Sequence, residues 1–454
     1  MSFPRYEKYK DSGVEWLRAV PGHWSVTRLK FLASRISSGK TPLGGSETYV
    51  ESGVLFLRSQ NVYDDGLRLN DVVCISEEVD DGMASSRIRA GDILLNITGA
   101  SIGRTCIVPS PFAKANVNQH VCAIRMADPR FAEFVAYLLK SGKIKQQIDF
   151  SQDGAAREGL NFQQIGSFDV PLPPVQEMES ICHFLTVETA KIDALVAEQQ
   201  RLIELLKEKR QAVISRAVTK GLDPNVPMKD SGVEWLGNVP VHWTVSTIKH
   251  IVGTPVTDGP HETPNFPDEG IPFVSAEAVS SGVLDFEKKR GYISVEDHQR
   301  YSLKYRPRRG DIYMIKSGAT TGVTAIVETD DDFNIWSPLA VIRCDESCDP
   351  YFVLNFMRSK NFLEAVTLNW SFGTQQNIGM GVIENLAVPV PPLAEQRRIA
   401  AMLGGVTSLL DALTQEAEEA IKLLQERRSA LISAAVTGKI DVRGLVTQAE
   451  AVPA

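Results

Sequence analysis

The sequence is poor in the residues and spacings that make catalytic or metal centres. Its 454 residues include six cysteines and seven histidines. No two histidines stand four apart, and Cys344 and Cys348 form only a lone C-x-x-x-C. With no second Cys or His pair nearby, neither a disulfide framework nor a zinc site is indicated, and buried free thiols are expected. No apolar run approaches the roughly 18 residues needed to span a bilayer. MSFPRYEKYKDSG, at the N-terminus, has no apolar core of a secretory signal, so a cytoplasmic, non-membrane protein is expected. There is no G-x-x-x-x-G-K-S/T phosphate loop, since SGKTPLGG at 38–45 has the wrong order. GDILLNITGASIGR lacks the G-x-G-x-x-G spacing of a dinucleotide turn. VPLPPV and VPVPPL lack the polar first position of an amide-binding loop. A stand-alone enzyme therefore has no residue set to support it, and no cofactor site is expected in this chain. A formal net charge of −8 argues against a protein that coats nucleic acid nonspecifically.

What the sequence has is a duplication. KDSGVEWLRAVPGHW (10–24) returns as KDSGVEWLGNVPVHW (229–243), and RAGDILLNITGASIGRTCIV (89–108) as RRGDIYMIKSGATTGVTAIV (308–327). Each copy ends in a long helical segment that follows a Pro pair, Pro173–Pro174 or Pro391–Pro392, where the fixed φ of proline suits a helix entry. Apolar residues step by three and four through both segments. The first series is Leu185, Glu188, Ile192, Leu195, Gln199, Leu202, Leu206, Lys209 and Val213. The second is Leu403, Val406, Leu410, Leu413, Ala417, Ala420, Leu424, Arg427 and Leu431. That period is the seam of a coiled coil. The alternative is two ordinary core helices, but roughly 45 residues is about four times the mean helix length. Two seams on one chain most simply pair with each other.

The expected organisation is a first domain with its lead-in over residues 1–174 and a central helix over 175–220. A second domain with lead-in (221–392), a C-terminal helix (393–438) and a tail (439–454) follow. Short apolar stretches separated by Gly, Ser, Asn and Asp clusters make each domain a mixture of strands and loops with few helices, an α+β fold. In the lead-ins, Trp16, Leu17, Val20 and Trp24 read as a strip docking on the domain, and His23 and His242 as structural.

Polar loops beside these strands carry the candidate binding residues. TGASIGR offers Thr98, Ser101 and Arg104, and its counterpart SGATTGV offers Thr320 and Thr321. Both are rich in the donors a phosphate contact needs, and both also read as tight turns between strands. FLRSQNV groups Arg58, Gln60 and Asn61, side chains able to pair with purine edges. NVNQH adds Asn118 and Gln119, and Lys40, Thr41, His261 and Lys316 extend the set. RYSLKYRPRR (300–309) interleaves Arg300, Lys304, Arg306 and Arg308 with two tyrosines and no acid. It reads as a phosphate-contacting patch or a solvated basic face. At the helix ends, Lys209 and Arg210 match Arg427 and Arg428 as candidates for partner contacts. The two copies agree in lead-in, GDI segment and helix but differ at the loop tips. Arg58-Ser59-Gln60-Asn61 faces Ser275-Ala276-Glu277-Ala278. One frame with two sets of tips looks like two readers of two short sequences.

With these features the chain resembles the specificity subunits of type I restriction–modification systems. The resemblance rests on SGVEWLxxVPxHW, the GDI segment, SFGTQQNI at 371–378, and the VPLPP and VPVPPLAEQ entries to the helices. It implies two target-recognition domains, each binding half of a bipartite site in double-stranded DNA, joined by an antiparallel coiled coil that sets their separation. It adds Gln375, Gln376 and Asn377 to the candidates, while the first domain departs there with DGAAREGLNFQQI. It also places catalysis elsewhere: in two methyltransferase subunits using S-adenosylmethionine, and in motor–nuclease subunits using ATP and Mg. The competing class is a duplicated coiled-coil scaffold that binds proteins and no DNA.

Overall fold

A computed structural model describes residues 3–152, 159–370 and 377–445. It divides into two compact units, Met1–Gln199 with Glu419–Ala454, and Gln200–Glu418. The fold is α+β, a tandem repeat in which each unit takes part of both long helices.

The first unit is built on β1 (Ala33–Ser38), β2 (Val54–Leu57), β3 (Ile93–Asn96), β4 (Thr105–Ile107), β5 (Ala115–Val117) and β6 (Val121–Met126). Strands β4-β3-β6-β1 form an antiparallel sheet, and β2 and β5 pair in parallel at the centre of a second one. Every residue of β3 is buried, which is why it reads as a continuous apolar run rather than an alternation. Helices α1 (Ala132–Lys140) and α2 (Gly142–Gln152) follow, then α3 (Val175–Lys220). The second unit repeats the plan with β7 (Thr257–Asp258), β8 (Ile271–Val274), β9 (Ile312–Ile315), β10 (Thr324–Ile326), β11 (Asn334–Ile335) and β12 (Leu339–Ile342). Its helices are α4 (Pro350–Met357), α5 (Lys360–Leu368) and α6 (Leu393–Val436).

The duplicated R-x-G-D motif has a structural explanation. Its glycine takes a left-handed conformation, φ +85° at Gly91 and +90° at Gly310, which favours glycine. The next residue, Asp92 or Asp311, is buried and accepts a backbone N–H across the turn at 2.8 Å in both units. It also takes a bidentate grip from an arginine on the neighbouring strand. Arg125 lies 2.7 and 2.6 Å from Asp92, and Arg343 lies 2.6 Å from both oxygens of Asp311.

The lead-ins dock as expected. Trp24 and Trp243 are fully buried. Glu177, in the first turn of α3, accepts from Tyr6 Oη at 2.5 Å and Trp24 Nε1 at 2.9 Å, with His23 Nε2 2.7 Å away. Glu395 and His242 repeat the last contact at 2.8 Å. Both long helices stop at a glycine with positive φ, Gly221 (+74°) and Gly438 (+69°), the usual left-handed cap.

Within each unit the two helices run in opposite directions. In the second, Arg210 pairs with Asp411 at 3.3 Å while Gly221 stands beside Glu395. In the first, Arg428 grips Asp193 at 2.8 and 3.2 Å while Glu177 and Gly438 both reach Trp24.

The seam departs from the one read in the sequence at several of its alternate steps. Leu185, Ile192 and Leu206 face inward, as do Leu403, Leu410 and Ala417. Leu195 and Leu202, however, are 50% and 41% exposed, and Lys209, Leu413 and Arg427 also face solvent. Their places are taken one residue later by Thr189, Val196, Ile203 and Arg210, and by Thr414 and Arg428. Both phases keep the 3.5-residue repeat. Leucine content favoured one, but the inward Thr and Arg of the other bond internally. Thr189 Oγ1 donates to the Leu185 carbonyl at 2.7 Å, Thr414 Oγ1 to the Leu410 carbonyl at 2.9 Å, and the two arginines cross to the other helix.

All six cysteines are free thiols, four of them buried. Burial pushes Cys106 and Cys122 up to about 12, so both stay protonated and inert at neutral pH.

Candidate nucleic-acid interface

In the first unit a glycine lets the chain cross a strand end at close range. A Cβ on Gly39 would lie 1.7 Å from the Val117 carbonyl oxygen, so only glycine fits beneath β5. Lys40 and Thr41 follow on the surface, both exposed. Thr41 bonds through its hydroxyl to the Gln119 amide oxygen. Gln119 Nε2 is 3.0 Å from His120 Nε2, and His120 Nδ1 is 2.6 Å from Thr98 Oγ1. Asn118 Oδ1 accepts the His120 backbone N–H at 3.1 Å. The fold thus joins Thr41, Asn118, Gln119 and Thr98 from three loops into one chain of polar groups. His120, which tied no motif together in the sequence, is its centre. Ser101 lies apart from this chain and accepts from Asn96 Nδ2 at 3.1 Å. Thr98 itself pairs as an isolated bridge with Gly159.

One expectation for this unit is corrected. Asn61 is 1% exposed, and both ends of its amide serve the backbone: Oδ1 accepts from Arg58 N and Nδ2 donates to the Arg68 carbonyl, each at 2.9 Å. It caps a turn and cannot reach a base. Arg58 donates to the Asp71 carbonyl at 3.0 Å and lies 5.8 Å from the Tyr49 ring, so it is held as a brace. Gln60, between them, is exposed. Arg104 stacks 4.7 Å from the Tyr63 ring centroid, which Arg68 shares at 3.6 Å.

In the second unit Gly259 repeats the close crossing, 2.0 Å from the Ile335 carbonyl oxygen to a Cβ there. Beside it stands Asp258, fully buried. Its carboxylate gathers three candidates: Lys304 Nζ at 2.6 Å, Lys316 Nζ at 2.7 Å and His261 Nε2 at 3.1 Å. Burial raises the pKa of Asp258, but the hydrogen bonds from Lys304 and Lys316 outweigh it and hold the acid below its ordinary value. Nothing in the sequence marked Asp258 except its place before a glycine.

The basic run at 300–309 is not a bare electropositive patch. Arg300 pairs with Asp297 at 2.6 Å and Glu262 at 2.7 Å, Arg306 with Asp332 at 2.7 Å and Arg309 with Asp330 at 2.8 Å. Asp297 precedes the run on the same helix, and Glu262, Asp330 and Asp332 arrive from other segments, so the run itself showed no acid. Its tyrosines, Tyr301 and Tyr305, are each 8% exposed and donate to Glu262 and Asp311, so neither stacks on a base. Among the described residues, Arg308 has no acid within ion-pair distance. Thr320 is exposed, while Thr321 Oγ1 donates to the Gly318 carbonyl at 2.7 Å, as a tight turn requires. Asn377 pairs with Ser317 in an isolated bridge, in the place that Gly159 takes beside Thr98. Gln375 and Gln376 lie outside the described residues.

At the helices, Arg210 and Arg428 are not free for partners: the first meets Asp411 and the second Asp193. Lys209 and Arg427 remain exposed. No helix among the described residues is long and apolar enough to cross a membrane.

Comparison with known proteins agrees with this architecture. The type I restriction modification DNA specificity domain matches twice, over residues 24–205 and 240–423. The type I restriction enzyme MjaVIII specificity subunit of Methanocaldococcus jannaschii is 22% identical over 98% of this chain and 99% of its own length. A chain from a structural study of complex assembly and conformational transition in the type I R-M system superposes with a TM-score of 0.69, at 19% identity over 92% of this chain and 98% of that one. The HsdS subunit from Thermoanaerobacter tengcongensis gives 0.51, at 18% identity over 93% and 98%. With two family domains spanning most of its length, this chain belongs to the type I restriction–modification DNA specificity family.

Proposed function

We propose that this chain is the DNA-reading, non-catalytic subunit of a cytoplasmic type I restriction–modification complex. Each unit recognises half of a bipartite site in duplex DNA and brings two methyltransferase subunits and the motor–nuclease subunits to it. The chain holds no cofactor of its own; S-adenosylmethionine, ATP and Mg serve those partners. The observation that carries this reading is one frame with two different faces. The Asp–Arg clamp, docked tryptophan and glycine crossing recur in both units. The groups beside the crossing differ: hydroxyl, amide and imidazole groups with one exposed lysine in the first (Thr41, Thr98, Gln119, His120, Lys40), and a buried acid holding two lysines and a histidine in the second (Asp258, Lys304, Lys316, His261). Hydroxyl, amide and imidazole groups can both donate and accept toward base edges, whereas lysines only donate. Partner subunits sharing the phosphates would relieve the unfavourable net charge.

The test is to replace residues 25–170 with the matching segment of another family member and map the methylated adenines made by the reconstituted complex. One half-site should change, with the other half-site and the gap retained. Loss of no specificity, or change of both half-sites, contradicts the reading. A scaffold without DNA contact predicts no effect on the methylated sequence at all.

A further inference from the structure

The two units also differ at the foot of the long helix, where the first carries Asp64 and Asp65 and the second has no acid at the matching positions. In the first unit Lys140, at the end of α1, is largely buried. Burial lowers its pKa, and the charge of Asp64 opposes the shift most strongly, with Asp65 adding to it. Asp64 is fixed there: it accepts the Thr105 backbone N–H and the Lys145 ammonium, each at 2.9 Å. The corresponding positions of the second unit hold Arg358, Ser281, Gly282, Thr324 and Leu363. Arg358 is half-buried beside Arg210, and Asp411 and Glu328 oppose the charge of Arg210 from beyond ion-pair distance. Its pKa is lowered by burial first and by the charge of Arg210 next.

In place of the acids there is a cavity of about 510 Å³, lined by Arg210, Arg358, Ser281 and Thr324 among others. That volume falls in the range of about 300–1,000 Å³ usual for small-ligand sites. Two unpaired donors belong to residues that line it. Thr324 is 2% exposed and its hydroxyl has no partner, unlike that of Thr105, which donates to the Leu94 carbonyl at 2.7 Å. The Nε of Arg210 is likewise buried and unpaired, its Nη1 alone meeting Asp411. Arg358 spends only Nη2, on the Gly282 and Thr324 carbonyls.

We infer that this cavity in the second unit is a phosphate-binding site, in which a bound dianion stands where the first unit has Asp64 and Asp65. A phosphate dianion offers enough oxygens to take the Arg358 fork, Arg210 Nε and Thr324 Oγ1 together, which a single carboxylate does not. The site is independent of the DNA-reading faces.

The test uses the full chain, comparing thermal unfolding in inorganic phosphate, acetate and chloride at equal ionic strength, with calorimetry for affinity. Phosphate should raise the unfolding midpoint where acetate and chloride do not. Ser281→Asp should raise the phosphate-free midpoint and weaken phosphate binding at least tenfold. Thr324→Val should keep the fold and weaken it severalfold. An equal phosphate response in wild type and Ser281→Asp overturns the inference, as does a response no larger than that to acetate or chloride. Competition between duplex DNA and inorganic phosphate would identify the bound group as a DNA phosphate. Binding of adenosine monophosphate without such competition would identify a free phosphate compound.

Discussion

At the foot of its helix the first unit sets Lys140 in the field of Asp64, whereas the second sets the matching Arg358 beside Arg210 and a cavity. Beside the glycine crossing the second unit gathers its cations on a buried aspartate, whereas the first links hydroxyl, amide and imidazole groups with no acid among them. The frame between these two places is the same. Duplication has preserved what closes the core and left charge free to vary where the surface meets something else. The comparison is therefore an internal control, because any effect common to both units belongs to the frame, and any difference belongs to the faces.

The largest effect should be common to both. Removing Asp92 or Asp311 strands an arginine, Arg125 or Arg343, whose side chain is only 25% or 20% exposed. Breaking one side of a buried ion pair costs about 3–5 kcal/mol. Asp92→Ala and Asp311→Ala should each destabilise their own unit by that amount, read as loss of one of two transitions in denaturant. Unequal losses would show that the frames are not equivalent.

The frame was legible in the sequence because it depends on local chemistry. Proline pairs open the helices, glycines turn and end them, and the R-x-G-D motif marks the clamp even though its arginine partner lies some thirty residues on. The faces were less legible because they depend on what folding brings together. Asp258 collects cations from three segments, and the acids that meet Arg306 and Arg309 come from a later loop. The helix seam failed for a different reason. Two phases one residue apart share every second position, and side-chain bonds by Thr and Arg decided between them, not leucine count.

Acid should separate the units next. Asp80 in the first and Asp258 in the second are both buried among cations. Burial raises each pKa, but hydrogen bonds from Arg87, Lys114 and Asn116 or from Lys304 and Lys316 outweigh it, so both acids titrate below their ordinary value. With the folded value depressed, the stabilisation is fully present above the unfolded value of about 3.9 and is lost as pH falls through the folded one. Hydrogen exchange followed from pH 5 downward should show Asp80→Asn flattening the pH dependence of the first unit alone, and Asp258→Asn that of the second alone. A shift in both units from either variant would remove the distinction.

A smaller difference lies in the docked tryptophans. Trp24 donates its indole N–H to Glu177 at 2.9 Å, whereas Trp243 Nε1 is buried with no partner. Phenylalanine removes similar packing at either site, but at 24 it also leaves Glu177 short of a donor, a loss of about 1–3 kcal/mol. Trp24→Phe should therefore lower the melting temperature more than Trp243→Phe, and equal losses would make the hydrogen bond irrelevant.

The smallest stability effect belongs to the helix pair. Asp193–Arg428 is bidentate and its arginine 19% exposed, whereas Asp411–Arg210 is a single contact at 3.3 Å with the arginine 40% exposed. Exposed pairs contribute about 0.2–1 kcal/mol, and the bidentate one should lie at the upper end. Arg428→Ala should thus cost slightly more than Arg210→Ala in thermal unfolding, and salt should shrink both losses. Their neighbours Lys209 and Arg427 face solvent, so Lys209→Glu and Arg427→Glu should leave unfolding unchanged within about 0.5 kcal/mol. If the outward faces of the helices receive the methyltransferase subunits, these two reversals should weaken association in a pull-down or by ultracentrifugation while the Arg428 and Arg210 variants assemble normally. The opposite pattern would place the partner contacts on the paired arginines, and the helix ion pairs would then have to open on assembly.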